Sequence, residues 1–130
     1  MASWEDVRKL ALALPGTSEQ PLHGNLSWRV QDKLFLWERP LRSSDLSALG
    51  SDAPDGEILG ARVEHEGAKQ ALIQSDPEIY FTIPHFDGYA AVLVRLEAIS
   101  YEQLDELTVD AWLSRAPKRL AATYLAERGA

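Results

Sequence analysis

Alternation of apolar and polar positions is clearest from Ser75 to Leu96, SDPEIYFTIPHFDGYAAVLVRL. Ile79, Phe81 and Ile83 precede Asp87 and Gly88, and Val92, Val94 and Leu96 follow them, every second residue, as in strands with one buried face. A two-residue loop at Asp87 and Gly88, both at positive φ, would oppose Ile83 to Val92, Phe81 to Val94 and Ile79 to Leu96. All six side chains then look inward, with Tyr80, Thr82 and Arg95 on the other face, where Tyr80 and Arg95 form a surface cation–π pair. Because a one-residue slip reverses every side chain, the pattern itself selects this register.

The same reading extends along the chain. Trp4, Val7, Leu10, Ala11 and Leu14 recur at helical spacing behind a Ser3 cap with Asp6 three residues on, and Pro15 and Gly16 end that helix. Thr17 to Gly24 lacks a clear period and reads as a connection with a short edge strand. Asn25 to Arg39 reads as a hairpin turning at Asp32 and Lys33, with Val30 facing Phe35, Trp28 facing Trp37 and Leu26 facing Arg39. The segment RSSDLSALGSDAPDGE from Arg42 to Glu57 is rich in Ser, Asp, Gly and Pro and reads as a mostly irregular, mobile crossing. A strand over 58–65, a short helix over 67–75, a helix behind the Ser100/Gln103 capping box and a last helix restarting at Pro117 complete the order. The fold class expected is α+β: an antiparallel sheet of about five strands with helices packed on one face, in a single domain spanning 1–130.

Composition narrows the chemistry. The 130 residues hold no cysteine, which removes disulfides, thiol nucleophiles and thiolate metal sites. The N-terminal MASWEDVRKL carries acids where a signal peptide needs an apolar run, and no apolar stretch approaches the roughly 20 residues of a membrane span. A cytoplasmic protein with no membrane partner is the expectation. The net charge of −7 opposes bulk electrostatic attraction to nucleic acid. The charge is uneven, however: residues 43–66 hold six acids against Arg62 alone, whereas Arg29, Lys33, Arg39 and Arg42 outnumber the two acids of 29–42, and Arg115, Lys118, Arg119 and Arg128 face only Glu127.

Candidate chemistry is sparse. His23, His65 and His85 are not spaced as metal ligands, no serine lies in a GxSxG setting, and no glycine loop is built to cradle phosphate. No catalytic residue, metal site or cofactor is assigned, and the chain is expected not to be an enzyme. Arg29, Lys33, Arg39, Arg42, Lys118 and Arg119 are the candidates for phosphate contact, with the tryptophans beside them able to stack bases.

The segments PLHGNLSWRV at 21–30, FLWERPLR at 35–42, SDPEIYFTIPHFDGYAAVLVRL at 75–96 and AWLSRAPKRLAATYL at 111–125 resemble the MmcQ/YjbR family of small bacterial proteins. The resemblance implies a frataxin-like (CyaY-like) α/β fold, and it implies DNA binding, because members are described as DNA-binding proteins whose exposed sheet and loops form wings. It also invites an iron reading through an acidic ridge, although here the acids crowd 43–66 rather than the first helix. The function expected is a non-enzymatic module that binds DNA. The alternatives are a domain holding a small aromatic or anionic ligand between the sheet and the 43–57 loop, lined by His23, Trp28, Trp37 and His85, or a protein-interaction domain, monomeric or weakly self-associating.

Overall fold

The computed structural model describes residues 2–128. Helix α1 (Trp4–Leu12) opens the chain, and its capping box forms as the sequence predicts: Ser3 Oγ accepts from Asp6 N, and Asp6 Oδ2 accepts from Ser3 N. Strands β1 (Thr17–Leu22), β2 (Asn25–Val30) and β3 (Lys33–Glu38) form an antiparallel meander. Helix α2 (Ser43–Leu49) leads to β4 (Ile58–Arg62), and α3 (Glu66–Ser75) leads to β5 (Tyr80–Phe81) and β6 (Ala91–Arg95). Helices α4 (Tyr101–Arg115) and α5 (Lys118–Arg128) close the chain, α4 behind the expected Ser100/Gln103 box. The result is an α+β protein with one six-stranded antiparallel sheet in the order β1-β2-β3-β4-β6-β5 and five helices.

The sheet is buried on both faces. On the first, α1, α3, α4 and α5 cover Trp28, Phe35, Leu36, Leu59, Val92 and Val94. Trp28 is fully buried there, stacked on Trp4 with ring centroids 6.3 Å apart, and its Nε1 donates to Glu19 Oε1 at 3.0 Å. Trp112 is likewise sealed in, donating to Pro15 O at 3.0 Å. These buried indole donors are satisfied, so their large apolar area is gained without an orphaned N–H. On the second face, Trp37, Ile58, Phe81, Ile83, Phe86 and Leu93 form a separate cluster, with Leu41 and α2's Leu49 packed against it.

This second core overturns the expected division of side chains. Tyr80 pairs with Val94 and Phe81 with Leu93, one residue off the register that the alternation favours. Val92, Val94, Leu96 and Ile79 lie on the helix-covered face, whereas Phe81 and Ile83 lie on the other. Asp87 and Gly88 do make a turn, but only Gly88 has positive φ (74°), Asp87 has φ −58° and ψ 128°, and Tyr89 N donates to Phe86 O. That is a type II turn inside a longer connection containing a 3₁₀ turn at Pro84–Phe86. Freed from a tight hairpin, β5 shifts by one residue. Tyr80 is therefore buried, and Arg95 lies 4.7 Å over the ring of Phe81 instead.

The other hairpin differs for a related reason. Its loop is Gln31 and Asp32, at φ 45° and 69°, rather than Asp32 and Lys33. A bulge then inserts Phe35 between Leu34, opposite Arg29, and Leu36, opposite Trp28. Phe35 and Leu36 consequently share one face, and Trp37 opposes Ser27, so Trp28 and Trp37 lie on opposite sides of the sheet. Thr17–Leu22 is a full edge strand, and the segment read as irregular holds α2 and a 3₁₀ turn at Gly50–Asp52. Among the described residues, no helix is long and apolar enough to cross a membrane.

Candidate functional site

A cleft of about 760 Å³ opens on the second face, within the roughly 300–1,000 Å³ common for small-molecule sites. Its floor depends on Gly60. Trp37 is paired with Gly60 on β4, and a Cβ at Gly60 would stand 2.4 Å from Trp37 Cε2. Only glycine lets the indole lie flat across that strand. Phe86 then meets Trp37 edge-on at 6.1 Å, and Leu22 and Leu34 extend the apolar lining.

The cleft wall following β3 is built around a buried ion pair. Arg39 and Asp45 are each more than nine-tenths buried, with Arg39 Nη2 3.1 Å from Asp45 Oδ2. The same oxygen accepts from Arg42 N at 2.9 Å at the start of α2, so one carboxylate both neutralises Arg39 and caps the helix. Arg39 Nη1 donates to Pro40 O, and its guanidinium lies 5.5 Å over the Phe86 ring. Nη2 makes no hydrogen bond despite its proximity to Asp45. The Arg42 side chain is exposed at the rim.

The facing wall is the connection between β5 and β6, held by two cations. Lys69, 1% exposed, reaches from α3 to donate to Phe86 O at 2.7 Å and Tyr89 O at 3.1 Å, and its Nζ is 3.6 Å from Glu66 Oε2. Arg62 donates through Nε to Ala90 O and through Nη1 to the Tyr89 hydroxyl at 2.8 Å, while stacking on the Tyr89 ring. Burial is the main cause pushing the Arg62 pKa down, countered by Tyr89 and reinforced by Arg115. With its carbonyls and one ring tied to the body, this loop presents His85, Phe86 and Tyr89 in a fixed arrangement. The third wall is the β1–β2 turn, His23 and Gly24 at φ 51° and 82°, which leaves His23 exposed at the rim.

The cleft therefore gathers His23, Trp37, Arg39, Arg42 and His85 from both candidate sets. Trp28 is core rather than lining, and Arg39 is buried against Asp45 rather than offered to a phosphate backbone. Arg29 is half-buried opposite Leu34, donating weakly to Asp32 O at 3.5 Å, and Lys33 is exposed beside it. Lys118 and Arg119 are exposed at the start of α5, the helix whose Leu120 and Tyr124 pack on the first face, away from the cleft. The six basic candidates are thus divided between layers, and the sheet face expected to be free is covered. Pattern reading missed Gly60, Lys69, Arg62, Phe86 and Tyr89, because each acts through a contact distant in sequence, and Asp45, because nothing local shows that Arg39 beside it is buried. The Asp87–Gly88 signal did mark the connection that carries two of them. Among the described residues, no group of three His, Asp or Glu side chains stands close enough to hold a metal ion.

Comparison with known proteins agrees with this architecture. Uncharacterised proteins of Mycobacterium tuberculosis and Mycobacterium bovis are 53% identical over 132 residues, covering 99% of this chain and 100% of each relative. The crystal structure of Deinococcus radiodurans protein DR2400, with a DUF419 domain, superposes with a TM-score of 0.66 at 20% identity, covering 99% of this chain and 89% of that one. Its likeness is one of fold. A YjbR family model matches residues 12–114, from the end of α1 to the end of α4 and so through the whole sheet and every wall of the cleft: the chain belongs to the YjbR family.

Proposed function

We propose that this protein is a non-enzymatic binding domain whose ligand is a small, flat aromatic molecule carrying an acidic group. The observation that carries the reading is the convergence, on one cleft, of the Trp37 and Phe86 rings with Arg39, Arg42, His23 and His85 from three separate chain segments. Stacked or edge-on rings give a planar ligand apolar contact, and a guanidinium or imidazolium at the rim orients an anion. Glu38 and Asp87 also line the cleft, so the anion is placed at the exposed Arg42, with Arg39 held behind it by Asp45, and a polar or cationic substituent near Asp87. The Glu38 carboxylate is engaged, accepting from Leu26 N at 3.1 Å. Nucleic acid is the weaker reading because Arg39 is not accessible and the remaining basic residues lie on different layers.

A thermal-shift screen with aromatic carboxylates and nucleoside monophosphates tests the proposal. Stabilising compounds are expected, with the shift growing with concentration and lost in Arg42→Glu and His85→Ala, whose exposed side chains leave the fold intact. No stabilising compound, or shifts unchanged in both variants, would overturn it. A duplex DNA titration at two salt concentrations separates the readings: salt-sensitive binding lost on reversing Lys33, Lys118 and Arg119 would favour nucleic acid instead.

A further inference from the structure

The layer of helices contains a second, larger opening that the cleft does not use. Helix α4 packs on β3, β4 and α1, whereas α3 packs on β5 and β6, and a groove of about 1030 Å³ lies between them with Tyr80 among its lining. From α3 it is lined by Ala68, Ala71, Leu72 and Ser75, at i, i+3, i+4 and i+7. From α4 come Gln103, Glu106, Asp110 and Leu113, a stripe beside the one that α4 buries in the core. At 1.5 Å per residue these stripes run about 10 Å and 15 Å, two to three turns of helix. On α5, Leu125 is 52% exposed and also lines the groove.

The groove's charge is of one sign. Glu64, Asp76, Glu106 and Asp110 line it, and no Lys, Arg or His does. Burial first, then Glu106 and Glu64, raise the Asp110 pKa, and burial with Asp76, Glu106 and Asp110 raises that of Tyr80. These carboxylates stand near one another without a compensating cation in the groove. An apolar trough of helical length with a wholly acidic border is complementary to a helix whose apolar stripe is flanked by lysine or arginine. Anionic lipid would be repelled by the same border.

We infer that the α3–α4 groove is a docking site for a basic amphipathic helix of a partner protein, seated between Ala71 and Asp110 with its cations on Glu64, Asp76 and Glu106.

The probe is a fluorescein-labelled peptide of about four turns, built from leucine and lysine at helical spacing, with a leucine and glutamate peptide of the same pattern as its counterpart. Anisotropy is expected to show saturable binding of the lysine peptide alone. The exposed Ala71→Trp, which fills the trough, and the pair Glu106→Lys with Asp110→Lys should each weaken binding by about tenfold or more. The pair Asp52→Lys with Asp55→Lys makes the same change in net charge elsewhere and should alter binding by less than about twofold. Should Ala71→Trp fail to fold by circular dichroism, Leu125→Lys replaces it. Equal weakening by the remote pair would reduce the effect to bulk charge, and full binding by the filled-groove variant would remove the site. A concentration-dependent dimer that excludes the peptide would assign the groove to a second copy of the chain. Any of the three overturns the inference.

Discussion

A methyl group at Gly60 would fall 2.4 Å from Trp37 Cε2 and 2.6 Å from Cζ2, far inside van der Waals contact, so the indole must leave the floor of the cleft. Overpacking of this kind costs about 1–3 kcal/mol. Gly60→Ala is expected to lose that much in urea unfolding and to lose the response to aromatic ligands as well; an unchanged midpoint would show that Trp37 does not need the strand's bare backbone. Asp45 is the other residue on which this face turns. Removing one member of a buried pair costs about 3–5 kcal/mol, so Asp45→Ala should be strongly destabilising. Asp45→Asn, which keeps an acceptor for Arg42 N, should cost less. Denaturation midpoints within about 0.5 kcal/mol of the parent for both would mean that the Arg39 charge is not sealed in. Neither role is visible in the sequence. Gly60 looks like any strand glycine and Asp45 like one more acid in a serine-rich crossing, because the first is defined by Trp37 on the neighbouring strand and the second by the burial of Arg39, which the local pattern does not show.

Helix ends were readable where strand registers were not. Ser3 with Asp6, Ser100 with Gln103, and the stops at Pro15 and Pro117 are local signals, complete within a few residues, and each is realised. His65 caps α3, its Nδ1 accepting from Ala68 N at 3.0 Å, and that imidazole cap lies outside the usual Ser, Thr, Asp and Asn pattern. The β2–β3 turn holds Gln31 and Asp32 at positive φ, a conformation costly for Gln in particular. Replacing the pair by Asn and Gly, the residues that such turns favour, is expected to stabilise the protein by about 0.5–1 kcal/mol. A lower melting temperature would mean that the Gln31 side chain, which lies close to Gly16, contributes more packing than the turn loses in strain. One bulge at Phe35 and one shifted strand at Tyr80 changed which side chains share a face. The alternation of hydrophobic residues could not report either, since both faces of this sheet are apolar.

At the level of the whole molecule, pH dependence follows from two carboxylates shifted in opposite directions. Glu19 receives both Arg8 Nε at 2.8 Å and Arg8 Nη2 at 3.0 Å, with Trp28 Nε1 as a third donor, and the Arg8 hydrogen bond is the main cause lowering its pKa against the opposing effect of burial. A depressed folded value means that this tie between α1, β1 and the core stabilises the fold above the unfolded carboxylate range and is lost as pH falls through the folded value. Asp110 has the opposite sign, because its raised value makes ionisation a burden on the folded state that disappears on acidification. Melting temperatures across pH should therefore show Glu19→Gln less stable near neutrality with a flattened acid limb. Asp110→Asn should be more stable near neutrality and indistinguishable from the parent below the unfolded carboxylate range. The reverse order would show that neither environment is the one described.

The sequence alone determined the α+β class, the order of most elements, their caps and breaks, and membership of a family, because these depend on local period and on residues a few positions apart. Tertiary structure decided which apolar residues look to which side, that the second face is a core in its own right, and that His23, Trp37, Arg39, Arg42 and His85 meet at one cleft. The physical reason is that a sheet buried on both faces carries hydrophobic side chains on either parity. Only the bulge at Phe35, the loop at 82–90 and the close approach of Trp37 to Gly60 then choose among registers, the first within one hairpin and the other two through contacts between segments far apart in the chain.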